Sequence, residues 1–114
     1  MTKEEFVELL DELNIPVSEE APKDEEIEDE VRLHYWEYNW EDNMASGEEY
    51  NTIVTYQVSF IADIPRHPKL LELKHLLNSQ GIHPSIQHEN LLEQRRIHSF
   101  FSVDLLENIG EENE

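Results

Sequence analysis

The sequence predicts an α+β domain in which an antiparallel sheet of about four strands carries two helices on one face. Apolar residues recur at intervals of three and four near residues 6–13 and 67–80, which predicts the two helices. Apolar and polar residues alternate over residues 52–63 and 95–107, which predicts the two clearest strands. Hairpin-length spacing between the first two strands favours antiparallel pairing.

Length and composition indicate one small folded unit. The chain has 114 residues, of which 38% are hydrophobic, enough for one modest core. We expect a single domain over residues 1–106 and a disordered acidic tail over residues 107–114. The absence of cysteine excludes disulfides, thiolate metal ligands and cysteine nucleophiles. No signal-peptide pattern or run of eighteen apolar residues occurs, so no membrane association is expected.

The charge of the chain is strongly acidic and unevenly distributed. Asp and Glu number 27 against 8 Lys and Arg, a formal net charge of −19. Most of the excess lies in residues 1–30 and 107–114, whereas the middle of the chain is only slightly acidic. Residues 17–30 combine many acids with few apolar anchors, so we expect a mobile acidic connector. Direct binding to nucleic acid is disfavoured because no basic stripe is present.

The first helix has clear start and stop signals. Thr2 and Glu5 have the spacing of a capping box, and an apolar stripe begins at Phe6. Asn14 and Pro16 end the helix, since the residue before a proline is pushed out of helical geometry and proline lacks an amide donor.

Two strands joined by a long loop follow the connector. The stretch "VRLHYWEYNW" (31–40) predicts the first strand. Residues 41–51 contain Asp, Asn, Ser and Gly, which are typical of turns, and predict a long hairpin loop. The second strand, over residues 52–63, places five apolar residues on one face, namely Val54, Tyr56, Val58, Phe60 and Ala62.

The second half of the chain predicts a helix and two further strands. Prolines precede the helix over residues 67–80, and Gly81 follows it. The stretch "GIHPSIQHE" (81–89) predicts a short edge strand, because proline is tolerated at an edge. A turn or helical fragment over residues 90–94 then leads into the last strand, residues 95–107.

Three aromatic residues with period two stand out in the first strand. Trp36, Tyr38 and Trp40 predict one aromatic face, which is more often core than a binding platform because aromatic side chains dominate sheet packing. Both interpretations stay open at the level of sequence.

Catalytic and metal sites have little support in the sequence. Of the six histidines, His83 and His88 are five residues apart and His67 and His75 eight apart; we expect neither spacing to place two imidazoles on one face of a helix, and no HExxH pattern occurs. The pairs Glu41–Asp42 and Glu48–Glu49 could supply acid–base carboxylates, but carboxylates in an acidic loop are usually just solvated. There is neither a GxSxG elbow nor a glycine-rich phosphate loop. We therefore expect no catalytic residues, no metal site and no cofactor.

As an ordered set, these segments resemble the small tail-terminator, or tail-completion, proteins of long-tailed phages and prophages of Gram-positive bacteria. The resemblance runs from about Phe6 to Leu106 and rests on "LNIPV", "LHYWEY", "EDNMASGEEYNTIVTYQVSFIAD", "KLLELKHLLNSQGI" and "HENLLEQRRIHSFFSVDLL". The acidic connector and the acidic C-terminal tail depart from the family's pattern.

The resemblance implies a structural role in virion assembly. Proteins of this family close into a ring, commonly a hexamer, which stops growth of the tail tube and presents a surface to the head connector. It implies location in the tail or neck of the virion after synthesis in the host cytoplasm, with tail tube and head connector proteins as partners. The isolated protein can remain monomeric if the ring forms only on the tube.

Two groups of residues receive expected roles in such a ring. One is an assembly interface around the hairpin loop, with Trp36 and Trp40 added from the aromatic face: Trp36, Trp40, Asp42, Asn43, Met44, Glu49, Tyr50 and Asn51. The other is a set of acids that would face the channel and repel passing DNA: Glu25, Glu26, Glu28, Asp29, Glu111 and Glu112.

Two other functions compete with this one. Small size and acidic charge suggest a DNA mimic that blocks a nucleic-acid-binding protein through carboxylates placed like phosphates. A mimic should spread its charge over the folded surface, whereas here most acids fall in segments predicted to be mobile. A small hydrolase or metal enzyme is the third hypothesis, and the absence of a nucleophile with a neighbouring base weighs against it.

Overall fold

The structure, a computed structural model, describes residues 1–21, 31–43, 51–92 and 95–107, with backbone alone for residues 42, 43 and 51. Two helices and five strands follow one another along the described chain: α1 (Lys3–Asp11), β1 (Val17–Ser18), β2 (Arg32–Asn43), β3 (Asn51–Ala62), α2 (Pro68–Ser79), β4 (Gln87–Leu91) and β5 (Arg96–Glu107). The predicted α+β class is confirmed.

The five strands form one mixed sheet in the order β1-β2-β3-β5-β4. Three neighbouring pairs are antiparallel, as expected, but β1 pairs parallel with β2. The expected antiparallel sheet of about four strands is therefore corrected to a mixed sheet of five. The two-residue strand β1 has no room for a periodic pattern of its own, and its pairing partner lies fifteen or more residues further along the chain.

Strand β1 also corrects the predicted connector, because residues 17–21 are tied to the rest of the domain. Glu19 accepts a hydrogen bond from the Tyr35 hydroxyl (3.3 Å) and forms a 2.8 Å ion pair with Lys3. The carbonyl of Glu20 lies 3.1 Å from Nδ1 of His34. Residues 22–30, the remainder of the predicted connector, lie outside the described residues.

The first residue of the predicted tail, Glu107, belongs instead to the last strand. Glu107 is the last residue of β5, and its carboxylate accepts a 2.8 Å hydrogen bond from the Tyr56 hydroxyl. No local pattern in the sequence marks this contact, because Tyr56 lies 51 residues away. Residues 108–114 lie outside the described part of the chain.

Helix α1 begins as its sequence predicts. Thr2 is the N-cap, and its side chain accepts from the Glu5 amide while the Glu5 carboxylate accepts from the Thr2 amide. These reciprocal bonds satisfy two amides that the first turn of a helix leaves unpaired. Asn14 has a positive φ of 56°, a conformation that asparagine tolerates better than most residues, and it turns the chain towards β1.

The hydrophobic core lies between the helices and one face of the sheet, which we call the helix-bearing face. Phe6 of α1 contacts the rings of Tyr35 and Tyr56, and His67 before α2 contacts the ring of Phe60. The five residues predicted to share a face of β3 are all buried on this side: Val54, Tyr56, Val58, Phe60 and Ala62. Both helices therefore pack on one face, as expected.

Helix α2 and strand β4 form the far side of the domain. His67 caps α2 through a 3.0 Å bond from the Lys69 amide to its Nδ1, and Pro68 occupies the first turn, where its missing amide is harmless. Gly81 follows with φ of 81°, which suits glycine. The edge strand predicted over residues 81–89 is shifted to β4, because pairing with β5 begins only at Gln87.

Candidate functional site

The residues predicted as an assembly interface fall at one end of the β2–β3 hairpin. Asp42 and Asn43 close β2, and Asn51 opens β3, so the loop is shorter than the predicted residues 41–51. Met44, Glu49 and Tyr50 lie outside the described residues, as do the expected channel acids Glu25, Glu26, Glu28, Asp29, Glu111 and Glu112. Of the predicted interface residues, Trp36 and Trp40 are the two whose side chains the structure describes.

A β-bulge separates these two tryptophans. Glu37 pairs with Tyr56 and Asn39 pairs with Thr55, so Tyr38 has no partner in β3. Residues directly opposite each other in neighbouring strands project to the same face. Trp40, opposite Val54, therefore lies on the helix-bearing face, whereas Trp36, opposite Gln57, lies on the other face. The expectation of one continuous aromatic face is wrong because one inserted residue shifts the alternation.

The aromatic residues after the bulge are exposed rather than core. Relative exposure is 69% for Tyr38 and 59% for Trp40, while Trp36 is half-buried. The sequence favoured a core position for all three aromatic residues, and this prediction is wrong for Tyr38 and Trp40. Tyr38 is the extra residue of the bulge, and Trp40 lies in the outer strand β2 and is exposed although Val54, its partner in β3, is buried.

One carboxylate lies beside the exposed aromatic residues in what we call the acidic aromatic corner, a surface lined by Glu37, Tyr38, Asn39 and Trp40. The Trp40 indole N–H donates a 3.1 Å hydrogen bond to Oε2 of Glu37, which fixes one polar group of an otherwise exposed ring. A rigid aromatic side chain with a polar anchor is typical of residues that dominate protein interfaces.

The backbone next to this corner is also available for contacts. Strand β1 covers β2 only at Leu33 and His34, so within the described chain the outer edge of β2 beyond them pairs with no other strand. Exposed acids and a bulge are devices by which proteins prevent indiscriminate pairing of such edges. The corner therefore favours selected partners over general aggregation.

A second surface, not predicted from the sequence, lies between α2 and β4. It is a groove of about 290 Å³, which we call the basic groove, lined by Pro65, Arg66, Leu70, Leu71, Lys74, Pro84, Ile86 and His88. Leu71 is 51% exposed, and Arg66 and Lys74 border the apolar part of the groove. Among the described residues, neither Arg66 nor Lys74 forms an ion pair. The groove thus combines apolar surface with two cations that have no carboxylate partner in the described part of the chain.

A serine, a histidine and a glutamate on the sheet face away from the helices are arranged in a line. Nε2 of His98 lies 2.8 Å from Ser59 Oγ, and Nδ1 lies 3.4 Å from Oε1 of Glu89. The order of atoms is that of a nucleophile, a base and an orienting acid. Sequence reasoning missed the trio because Ser59 and His98 are 39 residues apart.

The surroundings of this trio do not suit nucleophilic catalysis. The Ser59 side chain is fully buried, and Ser59 pairs on both sides, with His34 of β2 and Phe100 of β5. Backbone amides engaged in strand pairing are not available as an oxyanion hole. The contact between His98 and Glu89 is long and largely exposed. The arrangement is better explained as a polar network that satisfies a buried hydroxyl.

Two tyrosine–carboxylate contacts, Tyr56–Glu107 and Tyr35–Glu19, lie on the helix-bearing face. Lys3 of α1 connects them, because it pairs with Glu19 and lies over the ring of Tyr56. Burial, followed by the hydrogen bond to Glu107, raises the pKa of Tyr56 far above its ordinary value. Burial and the nearby charge of Glu19 likewise raise the pKa of Tyr35. Tyrosines held in the protonated form donate hydrogen bonds but cannot act as bases near neutral pH. The network is therefore a structural link between the N-terminal helix and the last strand.

The described side chains contain no group of three or more His, Cys, Asp or Glu residues arranged to hold a metal ion. Among the helices that the structure describes, none has the length and apolar character needed to cross a membrane. No protein-family model matches the chain, and no curated protein is significantly similar to it. The candidate binding surfaces of the described domain are therefore the acidic aromatic corner and the basic groove.

Proposed function

We propose that this protein is a structural component of a long-tailed phage or prophage, which caps the tail tube as a ring and joins it to the head connector. The observation that carries the proposal is the exposure of Tyr38 and Trp40 in β2, next to the loop expected to contact neighbours. Large aromatic side chains with this exposure are typical of surfaces that become buried on assembly.

The described chemistry supports an assembly role over catalysis. Two serine–histidine contacts occur among the described residues, Ser59–His98 and Ser99–His88, and in both the serine is buried within a strand that is paired on both sides. An α+β domain with two contrasting surfaces and no reactive centre among its described residues is more economically explained as a binding module. The partners would be the tail tube protein, head connector proteins and further copies of this chain, with a hexamer as the expected ring in the virion.

The acidic segments would have a separate task in such a ring. Acids at positions 25–29 and 111–112 would face the channel, where like charge keeps DNA from adhering to the wall. Neutralising them to glutamine and asparagine should slow DNA ejection without preventing ring formation. Ejection at the normal rate from virions carrying the neutralised protein would remove this part of the proposal.

The proposed function is tested with tubes polymerised from the cognate tail tube protein. The full chain should bind at one end of each tube and stop its elongation, as seen by negative-stain microscopy and light scattering. A variant lacking residues 43–49 should retain its thermal transition, because the core lies elsewhere, but should not cap tubes. Leu92→Ser, which changes an exposed leucine at the β4–β5 turn, is the matched control and should cap normally. Continued elongation with the full chain would contradict the proposal.

The DNA-mimic hypothesis is less well supported. A mimic requires a folded surface on which carboxylates predominate, as phosphates do along DNA. In the described domain, Arg66 and Lys74 place two cations at the basic groove, and they interrupt any such acidic surface there. Competition experiments with DNA distinguish the two functions: a mimic should displace DNA from a basic nuclease or repressor at near-equimolar concentration, whereas a tail component should not.

A further inference from the structure

The acidic aromatic corner and the basic groove lie at opposite corners of the sheet. Trp40 of the corner is in β2 and pairs with Val54 of β3. His88 of the groove is in β4 and pairs with Ser99 of β5, which in turn pairs with Phe60 of β3. Three strand intervals separate β2 from β4, about 14 Å, and six residues of β3 separate the two rows, about 20 Å. The two surfaces cannot contact each other within one chain.

Their chemistry is complementary. The corner presents an exposed indole and phenol beside the carboxylate of Glu37, which accepts a hydrogen bond from the Trp40 indole. The groove presents an apolar floor, including half-exposed Leu71, beside Arg66 and Lys74, neither of which has a carboxylate partner among the described residues. An aromatic side chain that enters such a groove buries apolar surface while the neighbouring carboxylate of Glu37 approaches the cations.

We propose that the acidic aromatic corner of one copy of this chain docks into the basic groove of the next copy. Corner-to-corner contact is disfavoured because it brings the Glu37 carboxylates of the two copies together. Two different patches on opposite corners generate a heterologous, head-to-tail contact, and repetition of that contact closes a ring or extends a filament. This inference rests on the proposed ring assembly and specifies the surfaces that join its subunits.

The decisive experiment uses two full-length variants that each lose one half of the contact. Trp40→Ala removes the inserted side chain but keeps the groove, and Leu71→Asp spoils the groove but keeps the tryptophan. Both side chains are more than half exposed, so both variants are expected to fold. Each alone should self-associate at least about tenfold more weakly than the unmodified chain, since a buried tryptophan anchor dominates such contacts. Mixed together, they retain one intact contact per pair and should form a one-to-one dimer that grows no further.

Sedimentation velocity over a concentration series, up to about 1 mM, provides the measurement. The unmodified chain and the control Leu92→Ser should form species larger than a dimer, and added salt should weaken them because the contact is partly ionic. Self-association of either variant at the unmodified level overturns the proposal. So does a mixture that remains monomeric, or the absence of any association by the unmodified chain.

Tryptophan emission gives an independent readout of the same contact. The chain has two tryptophans, so Trp36→Phe leaves Trp40 as the sole indole fluorophore. Its emission should shift to shorter wavelength as concentration rises, because the indole of Trp40 is then buried away from water. Leu71→Asp introduced into the same chain should abolish the shift. An emission maximum that never moves while oligomers form means that copies associate through other surfaces. In that case this inference fails, whereas the proposed function, tested by the capping of tubes, is unaffected.

Discussion

Trp40 and Glu37 are three residues apart in β2, yet their side chains share a face and are joined by a 3.1 Å hydrogen bond from Trp40 Nε1 to Glu37 Oε2. In a regular strand, residues three apart project to opposite faces. They share a face here because Tyr38 is an extra residue with no partner in β3. The bulge thus determines on which side of the sheet the exposed indole lies.

Deleting Tyr38 should leave the fold intact. Asn39 would then follow Glu37 directly, and both would keep their present partners in β3, which gives a regular ladder. We expect the free energy of unfolding, measured with urea, to change by less than about 1 kcal/mol. Deleting Gln57 from β3 is the matched control, because it forces half of that central strand to turn its core side chains outward. Equal loss of stability in the two deletions would contradict this account of the bulge.

Patterns that depend on nearby residues were sufficient to predict most of the fold. The Thr2–Glu5 capping box and the alternation in β3 and β5 are confirmed because each signal is contained within one element. Strand β1 could not be predicted in this way, since two residues carry no period and its stability depends on β2.

Features that depend on distant residues were missed. Nothing local marks Tyr38 as an inserted residue, because only the pairing with β3 reveals it. The basic groove combines side chains from the start of α2 with others near β4, and the Ser59–His98 contact joins two strands. Such sites arise from topology, so spacing along the sequence contains no direct signal for them.

The capping box of α1 should contribute measurably to stability. Thr2→Ala removes the oxygen that accepts from the Glu5 amide at 3.2 Å and leaves that amide without its capping partner. Loss of such a cap should lower the free energy of unfolding by about 1 kcal/mol, within a range of about 0.5 to 2. Thr2→Ser keeps an acceptor at the same position and should stay close to the original value. A comparable loss in both variants, measured by urea denaturation, would show that the hydroxyl is not responsible.

Stability should fall in alkaline solution because Tyr56 resists ionisation in the folded state. Its pKa is raised by burial and by Glu107, whereas an unfolded tyrosine ionises near pH 10. Above about pH 10 the unfolded chain releases a proton that the folded chain keeps, so the free energy of unfolding decreases by up to about 1.4 kcal/mol per pH unit. The raised pKa values of Tyr35 and Lys3 act in the same direction.

The variant Tyr56→Phe isolates this contribution. It removes the ionisable group, so the decrease of stability between about pH 10 and 12 should become less steep than in the unmodified chain. At neutral pH it should cost about 1 kcal/mol, because Glu107 loses its donor. Tyr38→Phe removes an exposed hydroxyl and serves as the control, with an unchanged pH slope expected. Denaturant titrations at several pH values measure both effects, and identical slopes in all three proteins would refute the assignment to Tyr56.

The trio of Ser59, His98 and Glu89 should behave as a structural network rather than as a catalytic centre. Ser59→Ala removes the buried hydroxyl that shares a 2.8 Å hydrogen bond with His98, and we expect the free energy of unfolding to fall by about 1 kcal/mol. Hydrolysis of p-nitrophenyl esters should proceed at the same background rate with and without the substitution. Ser102→Ala, at an exposed position of β5, is the control for stability. An initial burst of product that requires Ser59 would instead show an acyl-enzyme, and the protein would then have to be considered a hydrolase.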